Sequence, residues 1–273
     1  MKILVTGAKG MLGQDLCPIL EDEDFDVIET DIDSLDITNP DNIKEVFSLY
    51  KPDFIVHCAA YTNVDGAEDD KETAFKINAQ GAENLAAECR ELDIPILYIS
   101  TDYVFDGTKK GKYLPSDKTN PINVYGASKL AGEEAVQKNK KHYIVRTSWL
   151  YGHHGKNFVE TMISLKDRDE LKVVDDQIGC PTWTVELSNA IVKIIKEEMP
   201  FGIYHACGSG HTSWFGFARK IFELYGAEVN LKPCSTSEFP RKAERPKNSI
   251  MENNKLCRKW DTALKEYMEL RCE

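Results

Sequence analysis

The 273-residue chain lacks any apolar run near the roughly 20 residues that cross a bilayer, so no membrane partner is expected. It also lacks an excess of positive charge: 34 Lys and Arg stand against 45 Asp and Glu, a formal net charge of −11. Such a surface repels a phosphate backbone and excludes a general nucleic-acid binder, while leaving room for a local basic pocket. No C-x-x-C and no local Cys/His cluster occurs among the cysteines at 17, 58, 89, 180, 207, 234, 257 and 272. A disulfide framework and a zinc site are therefore not expected, whereas buried thiols in a reducing cytoplasm are. The opening run MKILVTGAKG enters a strand pattern at once and leaves no stretch that reads as a signal peptide. Repeats and low-complexity tracts are absent as well.

What the chain does have is rhythm. Hydrophobic residues make up 42% and charged residues 29%, ordinary for a folded domain. Strand-like runs at 2–7, 25–31, 53–59, 94–100 and 142–148 alternate with helix-like stretches near 11–21, 41–50, 67–91 and 122–138. Several strands are almost continuously apolar, as expected when helices cover both faces of a parallel sheet. The alternation predicts an α/β fold, a Rossmann-type doubly wound parallel sheet over residues 1–150. Beyond 150, Gly, His and Pro punctuate the sequence and helices are predicted near 184–199 and 213–225. Residues 151–273 thus read as a smaller α/β substrate lobe, with room for chain crossings between the two.

VTGAKGMLG places Gly7, Gly10 and Gly13, with Met11 and Leu12 between the last two, at a strand-to-helix turn. Gly7 permits the tight turn, Gly10 lets backbone amides approach a pyrophosphate, and Gly13 lets helix and strand pack closely. The helix N-terminus then offers free N–H groups to the anion. The spacing G-x-x-G-x-x-G resembles the extended branch of the short-chain dehydrogenase/reductase superfamily. The second strand ends at Asp31, where a carboxylate can bind a ribose diol and repel a 2′-phosphate, so NADH is expected to serve at least as well as NADPH. Asp36 and Ile37 can flank the adenine, with a turn or cap role as the competing reading for Asp36. Ala59 and Ala60, after the third strand, leave space for the cofactor.

VYGASKL sets Tyr125 and Lys129 four residues apart, on one face of a helix. A phenol of ordinary pKa about 10 is a poor proton donor-acceptor at neutral pH unless its anion is stabilised, which an adjacent ammonium does. The same lysine can hold the nicotinamide ribose. Thr101 closes the run ILYIST, where a hydroxyl at a strand's C-terminal end enters the ligand crevice of an open α/β sheet. Thr101, Tyr125 and Lys129 are the candidate catalytic set.

ISTDYVFDG, PINVYGASKLAGE, IVRTSWLYG, NFVETMI, DQIGCPTW and RPKNS occur in this order over nearly the whole chain. Together they resemble the dTDP-4-dehydrorhamnose reductase family. The resemblance implies reduction of the 4-keto group of dTDP-4-dehydro-L-rhamnose with NADPH or NADH, and it carries over the same three catalytic residues. Similar sugar-nucleotide dehydratases read T-D-E where this chain reads Thr101-Asp102-Tyr103, so the elimination base is missing. Epimerases usually carry a larger C-terminal lobe.

Thr62, Val64, Tyr103 and Trp149 match family positions that line the sugar-nucleotide site, Trp149 having core packing as its alternative. Arg245 is a candidate diphosphate ligand, since a guanidinium pairs bidentately with phosphate oxygens, with a surface arginine as the alternative. Some family members join two subunits through a magnesium ion held by three glutamates. The matching residues are Asp15, Glu186 and Glu269, with aspartate replacing glutamate at 15, so a structural Mg²⁺ site and a homodimer are expectations of the resemblance alone. Two other readings stay open: a non-catalytic regulatory subunit resembling the methionine adenosyltransferase β subunit, and a reductase of another nucleotide-linked 4-keto-6-deoxy sugar.

Overall fold

The computed structural model describes residues 1–271, so Cys272 lies outside the described residues. Strands β1 (Lys2–Thr6), β2 (Asp26–Thr30), β3 (Phe54–His57), β4 (Ile96–Thr101) and β5 (His142–Thr147) join Gly202–His205 in one six-stranded sheet. The sheet order is Gly202–His205, β5, β4, β3, β1, β2, and every pairing is parallel. The direction of winding reverses between β1 and β3, and beyond the carboxyl ends of these strands lies the crevice where such sheets bind ligands.

Apart from the edge strand β2, the apolar runs predicted as strands are buried on both faces because alternate residues pack into different layers. Ile3 and Val5 of β1 join the helices α1 (Met11–Asp22) and α8 (Thr184–Lys196), through Leu12, Leu16, Leu187 and Ile191. Leu4 faces the opposite layer, built from α2 (Pro40–Tyr50), α5 (Ala82–Glu91) and α6 (Val124–Val136), through Phe47, Leu85 and Val136. A further cluster around Tyr151, Trp183, Phe217, Leu264 and Tyr267 gathers α7 (Phe158–Ser164), α9 (Trp214–Tyr225) and α10 (Trp260–Leu270). Three short strand pairs edge this lobe, among them Ile178–Gly179 with Thr212–Ser213.

One predicted helix comes out differently. The span 67–91 is divided into α3 (Val64–Asp69), α4 (Lys71–Phe75), a π-helical turn (Lys76–Gly81) and α5. Asp70 restarts the helix by accepting from the Thr73 N–H at 3.0 Å. The π turn then rotates Asn78 inward, fully buried, an arrangement often found where function needs it. Among the described residues, all seven cysteines are free, with Cys58 alone outside the buried class. No helix among them is long and apolar enough to cross a membrane.

Candidate active site

The turn after β1 is shaped by missing side chains. Gly7 sits at φ 69°, and a Cβ there would fall 2.7 Å from the Ala59 backbone nitrogen. A Cβ on Gly13 would lie 2.5 Å from Ala8 Cα, so the close approach of helix and strand depends on that glycine. No side chain caps the N-terminus of α1. Asp31, just past the end of β2, accepts the Lys9 N–H at 3.0 Å and the Ile32 N–H at 2.8 Å, which holds its carboxylate at the mouth of the turn. The Lys9 ammonium pairs with Asp33. A glycine cradle, an uncapped helix end and a fixed carboxylate fit a dinucleotide, with the pyrophosphate at Gly10 and the adenosine ribose at Asp31.

These residues border one cleft of about 760 Å³. Of the expected site residues, Gly7, Gly10, Met11, Leu12, Gly13, Asp31, Asp36, Ile37, Ala59, Ala60, Thr62, Thr101, Tyr125, Lys129 and Trp149 all line it. Asp36 also makes a local turn, accepting from the Thr38 N–H and hydroxyl, both at 2.8 Å.

Helix α6 delivers Tyr125 and Lys129. Asn123 caps it by accepting the Gly126 N–H at 2.7 Å and donates to the Glu244 carbonyl at 2.8 Å. A Cβ at Gly126 would fall 2.1 Å from the Tyr103 carbonyl oxygen, so the helix start is pressed against the segment that follows β4. Asn78 completes the frame: it accepts the Tyr61 N–H at 2.8 Å and donates to the Tyr61 carbonyl at 3.0 Å and to Ser128 Oγ at 2.9 Å. Ser128 in turn donates to the Tyr125 carbonyl at 2.8 Å. The π turn thus ties the β3 loop to the tyrosine's own backbone.

Burial governs the electrostatics at this point. Burial pushes the Tyr125 phenol above its ordinary range, the Asp102 charge adds to this, and the Thr101 hydroxyl opposes it. Lys129 is buried as well. Its ammonium lies 4.0 Å from the centre of the Tyr98 ring. Burial lowers its pKa to about 7, against the opposing charge of Glu133 one turn further along α6. His57 beneath it is neutral, lowered to about 3 by burial and by Lys129. Glu133 is fully buried and bidentate with Arg146, at 2.9 and 2.7 Å, and accepts from Ser100. Thr101 donates to Asp102 at 3.0 Å, and burial raises Asp102 to about 6.

Val64, Tyr103 and Arg245 do not line the cleft. Tyr103 meets Tyr125 edge to face at 5.8 Å. Arg245 is already engaged: its guanidinium clasps both oxygens of Asp65, at 2.5 and 2.9 Å, which occupies the fork expected to meet a diphosphate. The three acids considered for magnesium are not brought together. Asp15 accepts from the Thr184 hydroxyl and lies 3.3 Å from His154, Glu186 pairs with Arg258 at 2.7 Å, and Glu269 pairs with Lys265 at 3.7 Å. No cluster of three or more His, Cys, Asp or Glu that could hold a metal occurs among the described residues. Sequence reasoning missed Asn78, Ser128, Glu133, Arg146 and the cleft-lining Lys156. An asparagine inside a helical pattern was the one available signal, for Asn78.

A dinucleotide cradle that shares its cleft with a threonine, a tyrosine and a lysine makes this an oxidoreductase of the extended short-chain dehydrogenase/reductase class. The chain matches the model of the RmlD substrate binding domain over residues 1–270 and belongs to that family. A dTDP-4-dehydrorhamnose reductase from Clostridium acetobutylicum is 46% identical, covers 100% of both chains and superposes with a TM-score of 0.97. Another from Bacillus anthracis, solved in complex with NADP, is 43% identical over 98% of this chain and 99% of its own, with a TM-score of 0.95. A dTDP-4-keto-6-deoxy-D-glucose reductase from Streptomyces niveus is 39% identical over 98% of this chain and 95% of its own.

Proposed function

We propose that this protein reduces the 4-keto group of dTDP-4-dehydro-L-rhamnose to give dTDP-L-rhamnose, with NADPH or NADH. The observation that carries the reading is the meeting of Thr101, Tyr125 and Lys129 with the glycine cradle in one cleft. The cofactor, when bound, supplies the hydride. As the C4 carbonyl becomes an alkoxide, Tyr125 gives its phenolic proton to that oxygen, and the Thr101 hydroxyl turns its one proton from Asp102 to the same oxygen. Lys129, buried and close to neutrality, gains or loses a proton cheaply near pH 7 and returns charge balance to the phenol. Tyr103 occupies the position of an elimination base and has no carboxylate, which supports reduction without loss of water.

Residues 1–150 hold most of the cofactor side in this reading and 151–273 most of the substrate side, with α8 and Gly202–His205 crossing back. Asp31 favours a free ribose diol, while Lys9 gives a 2′-phosphate a partner, so both cofactors are served. The relative from Streptomyces niveus supports a second reading, in which the substrate is another dTDP-linked 4-keto-6-deoxy sugar.

The test is to supply enzymatically made dTDP-4-dehydrorhamnose with NADPH or NADH to the purified protein alone and identify the product sugar by NMR. dTDP-L-rhamnose is expected. No turnover with either cofactor overturns the proposal, and turnover only after adding a second protein would favour a regulatory subunit. Tyr125→Phe should lower kcat by about 10²–10⁴, the usual weight of a general acid, with cofactor affinity retained.

A further inference from the structure

Trp149 and Trp214 lie face to face, their ring centroids 3.5 Å apart and their planes 6° from parallel. Trp149 lines the cleft that holds Tyr125 and Thr101, whereas Trp214, the first residue of α9, stands outside that lining. The Trp149 backbone occupies the left-handed region at φ 48°. A bulky residue remains there only where its surroundings over-determine it.

Two features do so. A Cβ on Gly179 would fall 2.4 Å from Cε2 and 2.6 Å from Nε1 of the Trp149 indole, so the ring is seated against bare backbone. Ile178–Gly179 is also paired antiparallel with Thr212–Ser213, Thr212 lying opposite Gly179. The segment that seats Trp149 is thereby hydrogen-bonded to the segment that leads into Trp214. Ser213 caps α9 by accepting the Gly216 N–H at 3.0 Å and donates to Asp175, which fixes where the helix begins. Phe158 closes on Trp214 at 4.6 Å.

We propose that Trp214 is a positioning residue which, with Gly179, holds the Trp149 indole in the orientation that binds the nucleotide sugar. The role rests on the reading of the cleft given above. Trp214 acts through Trp149 and not on the reacting atoms, so it sets affinity more than the rate of the chemical step. Trp214→Ala should raise KM for the keto-sugar nucleotide, and Kd for dTDP-L-rhamnose, about tenfold, the scale of an aromatic pair with its buried area. The fall in kcat should be smaller than the rise in KM. Trp214→Phe should restore most of the affinity. The near-ultraviolet circular dichroism of two stacked indoles should vanish in both Trp214→Ala and Trp149→Phe. Where the alanine variant does not fold, Trp214→Leu keeps the apolar bulk without the stack and should show the same loss.

Loss of the dichroic signal with Kd for dTDP-L-rhamnose unchanged would overturn the proposal and leave Trp214 as packing. A native protein that neither binds dTDP-L-rhamnose nor reduces the keto sugar would instead overturn the functional reading on which it rests.

Discussion

Replacing Glu133 by glutamine keeps the side chain's shape and removes its charge, leaving the Arg146 guanidinium inside the fold with no anion. The two side chains are 0% and 3% exposed, so water cannot take the carboxylate's place. Removing one member of a buried pair costs about 3–5 kcal/mol, because the remaining charge stays desolvated. In a chain of this size each kcal/mol lowers Tm by about 2–4 °C, so a fall on the order of 10 °C is expected in thermal or urea unfolding. Replacing both residues by methionine should recover much of the loss, since an apolar pair of similar volume leaves no unpaired charge. The same substitution removes the charge that holds the Lys129 pKa up to about 7, so the limb of the pH–rate profile governed by Lys129 should move to lower pH. A Glu133→Gln protein that melts within 2 °C of the native one, with an unmoved profile, would refute both the buried-pair argument and the link to Lys129.

Lys129 stands at about 7 in the fold against an ordinary 10.5, so the folded state resists a proton that the unfolded chain accepts. The resulting deficit grows as pH falls from 10.5 to 7 and is constant below. Lys129→Met should therefore be inactive yet more stable at pH 7, by up to about 4 kcal/mol, with the gain shrinking toward pH 10 in urea titrations. Lys9→Ala should weaken NADPH about fivefold in fluorescence titration and leave NADH within twofold, since only the former offers a 2′-phosphate. Equal effects on both would remove Lys9 from cofactor selection. Gly13→Ala brings a methyl group 2.5 Å from the Ala8 backbone, and should cost about 1–3 kcal/mol of stability together with most dinucleotide affinity.

The parts of this enzyme that announce themselves in the sequence are those with a short period or a short motif. The strands β1, β3, β4 and β5 were legible because both faces are buried, the edge strand β2 from its short apolar core alone, and the glycines of the first turn because no other residue fits there. Tyr125 and Lys129 share a helix face, and a face is readable from spacing. Interactions that close over long separations were not legible. Arg245 gives no local sign that Asp65, far back in the chain, already fills its fork. Glu133 and Arg146 look like ordinary surface charges until the sheet brings them together. The break at Asp70 and the π turn were hidden because α3, α4 and α5 keep a helical pattern on either side. Trp149 was found by resemblance, but its stacking partner Trp214 opens α9, far along the chain.

The strand Gly202–His205 has a consequence for how the molecule is made. It pairs with β5 across a long excursion through the smaller lobe, and α8, from the same excursion, covers the apolar face of α1. A chain emerging from the ribosome therefore holds the whole glycine cradle before it can finish the sheet that supports it. Until residue 205 is available β5 is an open edge, and until α8 is made the layer around Leu12 and Leu16 is only half covered, the condition that invites pairing with another chain. The first 150 residues are a binding site in sequence but not a unit in assembly, and an expression fragment cut there should aggregate. The supported cradle thus becomes available late in synthesis, when the second lobe is also largely complete.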